Sequence, residues 1–228
     1  MKKENNASKQ IMKYSWIVGL LIFMITLLLG CITIRNLEKE KKTAAAYTAQ
    51  STVRRVNAQL NQYVELSEFL GNVVLAGYDL DQTTFSKLAE MLPNEDGIIK
   101  AFELAPNGVV TDVFPQQGNE KAFGINMLTD HERKEDANRA KETGNYTLGG
   151  PYELKQGGTG TLLFHPVYKS DPTDNDSFWG FVIMVIDWDK FIDEIGVDRL
   201  SEASYCYEIW TTDETTGNRF VLTQSQEH

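Results

Sequence analysis

A charge-free apolar run from Tyr14 to Ile34 constrains this chain more than any other feature, because nearly two hundred water-compatible residues follow it without a second such run. In a helix its 21 residues reach roughly 30 Å, the thickness of a bilayer's hydrocarbon core. Lys2, Lys3, Lys9 and Lys13 precede the run, and the positive-inside tendency keeps such a tail in the cytoplasm. Arg35, Lys39, Lys41 and Lys42 follow it just as closely, so the count of basic residues nearly ties. Length decides for export, since a long downstream domain translocates largely regardless of such charges. The expectation is a cytoplasmic tail (1–13), a transmembrane helix (14–34) and a main domain outside the cell (inner) membrane.

Two other readings of the run exist. A cleaved signal peptide has a short apolar core and a small-residue cleavage site, and this run continues through Ile32 and Ile34 without one. A lipid anchor at Cys31 is suggested by Leu28-Leu29-Gly30-Cys31, which resembles a bacterial lipobox. All but the cleaved form tie the chain to a membrane.

The chain carries a net charge of −10, with five Lys/Arg and one Glu in residues 1–35, so the rest holds −14. An exported part this acidic repels nucleic acid and anionic lipid, and no nucleic-acid partner is expected. Only Cys31 and Cys206 are present. One lies in the apolar run, so the exported fold must hold by burial without an internal disulfide. Cys206, in Tyr205-Cys206-Tyr207-Glu208-Ile209-Trp210, reads as a small buried hydrophobe in a strand.

From Cys31 to Leu70 there is neither Gly nor Pro, and the composition favours helix. Ala46, Ala49, Val53, Val56, Leu60, Tyr63, Ser67, Leu70 and Val74 are spaced alternately three and four apart, an a/d seam over four heptads. Such a stripe can pair with its copy in a homodimer or lie on the domain that follows; the dimer stalk (35–76) is the favoured expectation. Gly71 and Gly77 read as the helix end. Asp81 then caps a second helix holding Phe85, Leu88, Ala89 and Leu92, stopped by Pro93.

Beyond Pro93 the periodicity changes to short β runs between turn residues. Gly97 to Leu104 and Val109 to Phe114 form a hairpin about Asn107-Gly108, and Asp130 caps a helix ending at Thr143-Gly144. Tyr146 to Leu154, Thr161 to Tyr168 and Trp179 to Ile186 are further strands. Pro166 inside an apolar strand implies an edge or a bulge, and Gly180 a close backbone approach. The fold class is α+β: an N-terminal transmembrane helix continuing into a long stalk helix, then one antiparallel sheet with helices on one face. Residues 77–196 form the main domain, and 197–228 read as the incomplete start of a second subdomain.

Several of these residues, in this order, resemble the CHASE family of extracellular sensory domains. They are Ala105-Pro106-Asn107-Gly108, Gly118-Asn119-Glu120, Gly124, Asp130, Arg133, Ala137, Ala140, Thr143-Gly144, Gly150-Pro151, Gln156-Gly157-Gly158, Pro166-Val167-Tyr168, Trp179-Gly180 and Ile186-Asp187. The resemblance implies a membrane-distal PAS-like subdomain that holds a ligand, a membrane-proximal PAS-like subdomain, and the input half of a receptor histidine kinase or diguanylate cyclase. The family's plant members read cytokinins partly through an aspartate on the helix and a threonine on a later strand. Here Arg133 and Phe164 stand at those places, which turns the expectation from a cytokinin to a small anionic or zwitterionic metabolite.

No catalytic, nucleotide-binding or metal motif is found in the sequence, and neither an enzymatic step nor a cofactor is expected of these residues. His131, His165 and His228 lack partners at metal-ligand spacing, and the carboxylates of 171–176 and 187–194 read as solvated runs. A pocket in such a fold lies between the sheet and the helix and loops covering it. Its candidate polar groups are Arg133, suited to a carboxylate or phosphate, with Tyr152, His165 and Tyr168. Phe102, Leu104, Phe123 and Trp179 are its candidate walls, with Ile125, Leu148 and Leu163 beside them. Each wall residue can equally be core, and Arg133 beside Glu132, Glu135 and Asp136 can equally be a surface ion pair. Two other functions stay open: a tethered solute-binding surface protein, and an assembly partner acting through the coiled coil.

Overall fold

The computed structural model of the chain describes residues 2–77, 80–94, 96–169, 177–197, 199–200, 206–212 and 219–225. The acidic run 171–176 lies outside them. The chain divides into two units, residues 1–50 and 51–228.

The first unit is helical throughout its described residues, as part of α1 (Lys2–Leu75). Its apolar side chains from Tyr14 to Ile34 point outward, Trp16 being 76% exposed. The two threonines in this stretch are satisfied within the helix: Thr26 donates to the Phe23 carbonyl at 2.8 Å and Thr33 to that of Gly30 at 2.8 Å. Hydroxyls bonded back to their own helix suit a hydrocarbon environment, which offers no other partner. Among the described residues one helix is long and apolar enough to cross a membrane, its candidate stretch being Tyr14–Leu75.

The second unit holds the end of α1 and then α2 (Gln82–Glu90), β1 (Ile99–Pro106), β2 (Asp112–Phe114), a 3₁₀ turn (Glu120–Ala122), α3 (Lys134–Thr143), β3 (Thr147–Glu153), β4 (Thr159–Tyr168), β5 (Phe178–Asp187), α4 (Trp188–Ile195), β6 (Glu208–Thr212) and β7 (Arg219–Gln224). The first five strands make one sheet in the order β2-β1-β5-β4-β3, with antiparallel pairs throughout; β6 and β7 form a separate hairpin. The α+β class and the order of strands around α3 are as the sequence predicts.

Helices cover both faces of this sheet rather than one. Phe102, Leu104, Leu163, Val182, Met184 and Ile186 pack with Tyr63 and Leu70 of α1, Phe85 and Ala89 of α2, and Phe191 and Ile195 of α4. The alternate positions Ala101, Ala105, Leu162, Phe164, Phe181, Ile183 and Val185 pack with Ala137 and Ala140 of α3. Successive side chains of a strand point to opposite faces, so the buried runs of β1, β4 and β5 follow from being covered twice.

Four further expectations are corrected. Gly71 does not end α1; it lies inside it, where an added Cβ would sit 3.3 Å from Val167 and 3.4 Å from His165, and the helix stops at Leu75 before Gly77 at φ 74°. The seam favours its own domain: Val56, Leu60 and Val74 pack against the core that contains Tyr63 and Leu70, while Val53 stays 57% exposed. From Val56 onward the stripe is therefore occupied within the protein. The carboxylates of Asp189, Asp193 and Glu194 are exposed as expected, and they stand on a helix: Asp187 caps α4 by accepting from the Lys190 amide at 3.1 Å, and Phe191 and Ile195 turn inward. Asp130 does not cap α3; Arg133 holds the N-cap position, without a side-chain cap bond. Cys206 is exposed and precedes β6, not buried within a strand.

Pro166 sits in an interior strand, at a locally one-sided place. It pairs with Phe181 of β5, but the pairing of β4 with β3 ends at Phe164, and a register shift follows at Val167/Tyr168. Its missing amide thus costs no ladder bond on the β3 side.

Candidate ligand site

The α3 face of the sheet carries a group of charged side chains that the surrounding burial makes unusual. Arg133, at the mouth of α3, is 2% exposed. Its Nη1 donates to Asp130 Oδ1 at 2.8 Å and to Glu132 Oε2 at 3.3 Å, and its Nη2 to the Glu153 carbonyl of β3 at 3.4 Å. The guanidinium carbon lies 5.3 Å from the centre of the Tyr152 ring, within range of a cation–π contact. Tyr152 in turn donates its hydroxyl to Asp136 of α3. Gly149 is required beside this pair, because a Cβ there would collide with the Tyr152 hydroxyl and the Asp136 carboxylate.

Asp130 is the hub on the solvent side, since Lys155 also donates to it at 3.2 Å. Burial pushes its carboxyl upward, and the hydrogen bonds from Arg133 and Lys155 outweigh that, so it titrates below the usual carboxylate range. Burial, then the bond to Asp136, pushes the Tyr152 phenol well above its ordinary value. A crevice of about 470 Å³ opens at this mouth, lined by Asp130, His131, Glu132, Glu153, Leu154 and Lys155.

The same face of the sheet holds a residue that the sequence reading missed. Glu103, in the middle of β1, is 2% exposed, and its Oε2 is shielded from solvent with no hydrogen-bond partner. Burial pushes its carboxyl up to about 7, opposed by the Arg133 charge. Asn119 presents a second buried acceptor without a partner, Oδ1, while its amide nitrogen donates to the Pro115 carbonyl at 2.9 Å. The sequence signal for Glu103 was a single carboxylate between apolar residues in Phe102-Glu103-Leu104, flanked two places away by Ala101 and Ala105, small enough to leave it room.

The sheet separates the candidates named from the sequence. Arg133 and Tyr152 belong to the α3 face, and so does Tyr168, which donates to the Lys141 carbonyl of α3 and packs edge-on against Phe178 at 5.5 Å. Ile125 packs on that side as well. Phe102, Leu104, Leu163 and Trp179 belong to the opposite core with α1. His165 also faces α1, beside Gly71. Phe123 and Leu148 are 37% and 40% exposed. Among the described residues no group of three or more His, Cys, Asp or Glu is placed to hold a metal ion.

The family model for the CHASE domain matches residues 94–220, more than half of the chain and the whole of the five-stranded sheet. No curated protein sequence matches. Among solved structures, an extracellular ligand binding receptor from Desulfohalobium retbaense DSM5692 is similar, with a TM-score of 0.52 and 20% identity over 72% of this chain. That likeness concerns the fold, and the chain spans 28% of the receptor's length. The sheet and the family match together place this chain in the CHASE domain family of extracellular sensory domains.

Proposed function

We propose that the chain is the extracytoplasmic input module of a membrane-anchored receptor, and that it binds a small zwitterionic or anionic metabolite on the α3 face of its sheet. The observation that carries this reading is the buried pair of Glu103 and Arg133. A buried carboxyl with an unpartnered oxygen is costly, and such groups are retained where a ligand supplies the missing partner. A ligand ammonium satisfies Glu103 Oε2, and a ligand carboxylate takes one edge of Arg133 in place of Asp130 or Glu132.

The strand order β2-β1-β5-β4-β3 supports a PAS-like sensor, and the printed description of the similar solved structure supports a ligand-binding role. The transmembrane stretch 14–34 anchors the module, and α1 is the element through which a change at the sheet reaches the membrane. A ligand does this only by binding one arrangement of α1 and sheet better than another. The reaction that follows, by a histidine kinase or diguanylate cyclase, belongs to an output domain coupled to α1, and these residues perform none of it. Association of two copies uses the exposed stretch that includes Ala46 and Ala49.

Thermal unfolding of the full chain in nanodiscs, against panels of amino acids, simple carboxylates and nucleobases, tests the ligand class. The expected result is a rise in midpoint with amino acids or carboxylates. A rise with neutral purines alone, unaffected by Arg133→Ala, contradicts it.

A further inference from the structure

On the other side of the sheet, a crevice of about 310 Å³ lies between the last turns of α1 and strand β4. Glu68, Gly71 and Asn72 line it from the helix, and His165 and Val167 from the strand. Gly71 lets the helix backbone approach closely, since a Cβ there would meet Val167 at 3.3 Å and His165 Nε2 at 3.4 Å.

None of the residues lining this space is a lysine or an arginine. His165 Nδ1 is shielded from solvent and has no hydrogen-bond partner. Burial lowers the imidazole pKa, with Glu68 pulling the other way, so the ring is neutral near pH 7 and offers a lone pair at one nitrogen. Glu68, exposed at the rim, offers a carboxylate, and Asn72 an amide oxygen. A crevice that holds a carboxylate and an unpartnered imidazole nitrogen but no lysine or arginine, in a chain of net charge −10, favours a cation with N–H donors.

We infer that this crevice binds a small primary ammonium ion, with Glu68 taking its charge and His165 Nδ1 accepting one of its N–H groups. The inference goes beyond the reading of the α3 face, because its residues lie across the sheet from Arg133 and Glu103. Its consequence is mechanical: a ligand held at once by α1 and β4 favours the docked arrangement of the helix, and stabilises it in proportion to occupancy.

Isothermal titration of 1,4-diaminobutane into the full chain in nanodiscs, with butyrate and 1,4-butanediol as controls, tests it. The amine binds and the controls do not. Glu68→Gln and His165→Gln each weaken it roughly tenfold or more, the loss of one charge-assisted or buried hydrogen bond. Glu68 is exposed, so its variant folds as the parent does and keeps the test decisive. Glu142→Gln, at an exposed carboxylate of α3, leaves amine binding unchanged. Absence of binding at millimolar amine, indifference to Glu68→Gln, or equal weakening by Glu142→Gln each overturns the inference.

Discussion

The Arg133 guanidinium lies 5.3 Å over the Tyr152 ring, and the hydroxyl of that same tyrosine is bonded to Asp136. One aromatic residue of β3 thus fixes both the cation at the mouth of α3 and the first turn of the helix. Tyr152→Phe keeps the ring and removes the bond, leaving the Asp136 carboxylate short of a donor. The expected loss is about 1–2 kcal/mol, read from urea unfolding, with the ring's contact to Arg133 retained.

The inward half of the α1 seam separates core from interface. Leu70 is 0% exposed, and Leu70→Ala should cost about 3 kcal/mol through lost burial and the cavity left behind. Val53 is outward, and Val53→Asp should change stability by no more than about 0.5 kcal/mol. Denaturant melts of both variants give the comparison; equal losses contradict the docked helix.

Much of the sheet was legible in the sequence, because its turns need residues that few positions accept. Asn107 and Gly108 adopt φ 53° and 83°, and Gly157 and Gly158 φ 98° and 77°, and those punctuation marks delimit β1, β3 and β4. The heptad stripe was legible as a stripe but not as to its partner, since three-four spacing serves a second copy and the protein's own sheet alike. Helix α4 was hidden because Asp189, Asp193 and Glu194 stand between Phe191 and its neighbours on the apolar side. Arg133 was found, yet its burial was not readable, for acidic neighbours suit a surface ion pair equally well. Which candidates share a face depends on strand register, and that is why His165 and Arg133 were grouped although the sheet divides them.

Gly180 is held at φ 148°, and a Cβ there would collide with the Ala105 carbonyl oxygen on the neighbouring strand. Because the obstacle is backbone, no rotamer change relieves it. Gly180→Ala should cost about 3 kcal/mol or more by forcing β1 and β5 apart, measured as a fall in the unfolding midpoint. A midpoint within a degree of the parent's contradicts this.

Stability should fall as pH rises from about 4.5 to about 7 through Glu103. Its folded-state pKa, raised from 4.5 to about 7, means that the folded state holds the proton over that interval while the unfolded state releases it. The penalty above pH 7 is about 3 kcal/mol, at 1.36 kcal/mol per unit. Glu103→Gln removes this part of the pH dependence and raises stability at pH 8; an unchanged profile contradicts the burial of an ionisable carboxyl there.

His165 acts in the opposite sense. Its pKa is lowered by burial, so the unfolded chain takes up a proton more readily, and stability should decline as pH falls below about 6.5, the ordinary histidine value. His165→Gln flattens the profile below that pH and leaves the Glu103 segment in place.

The most direct test of the ligand site is isothermal titration of a zwitterionic amino acid that raises the unfolding midpoint into the parent chain, Glu103→Gln and Arg133→Ala. Loss of affinity of roughly tenfold or more in each variant, with His165→Gln unaffected, is the predicted result. Full affinity retained in both Glu103→Gln and Arg133→Ala contradicts a site built on that pair.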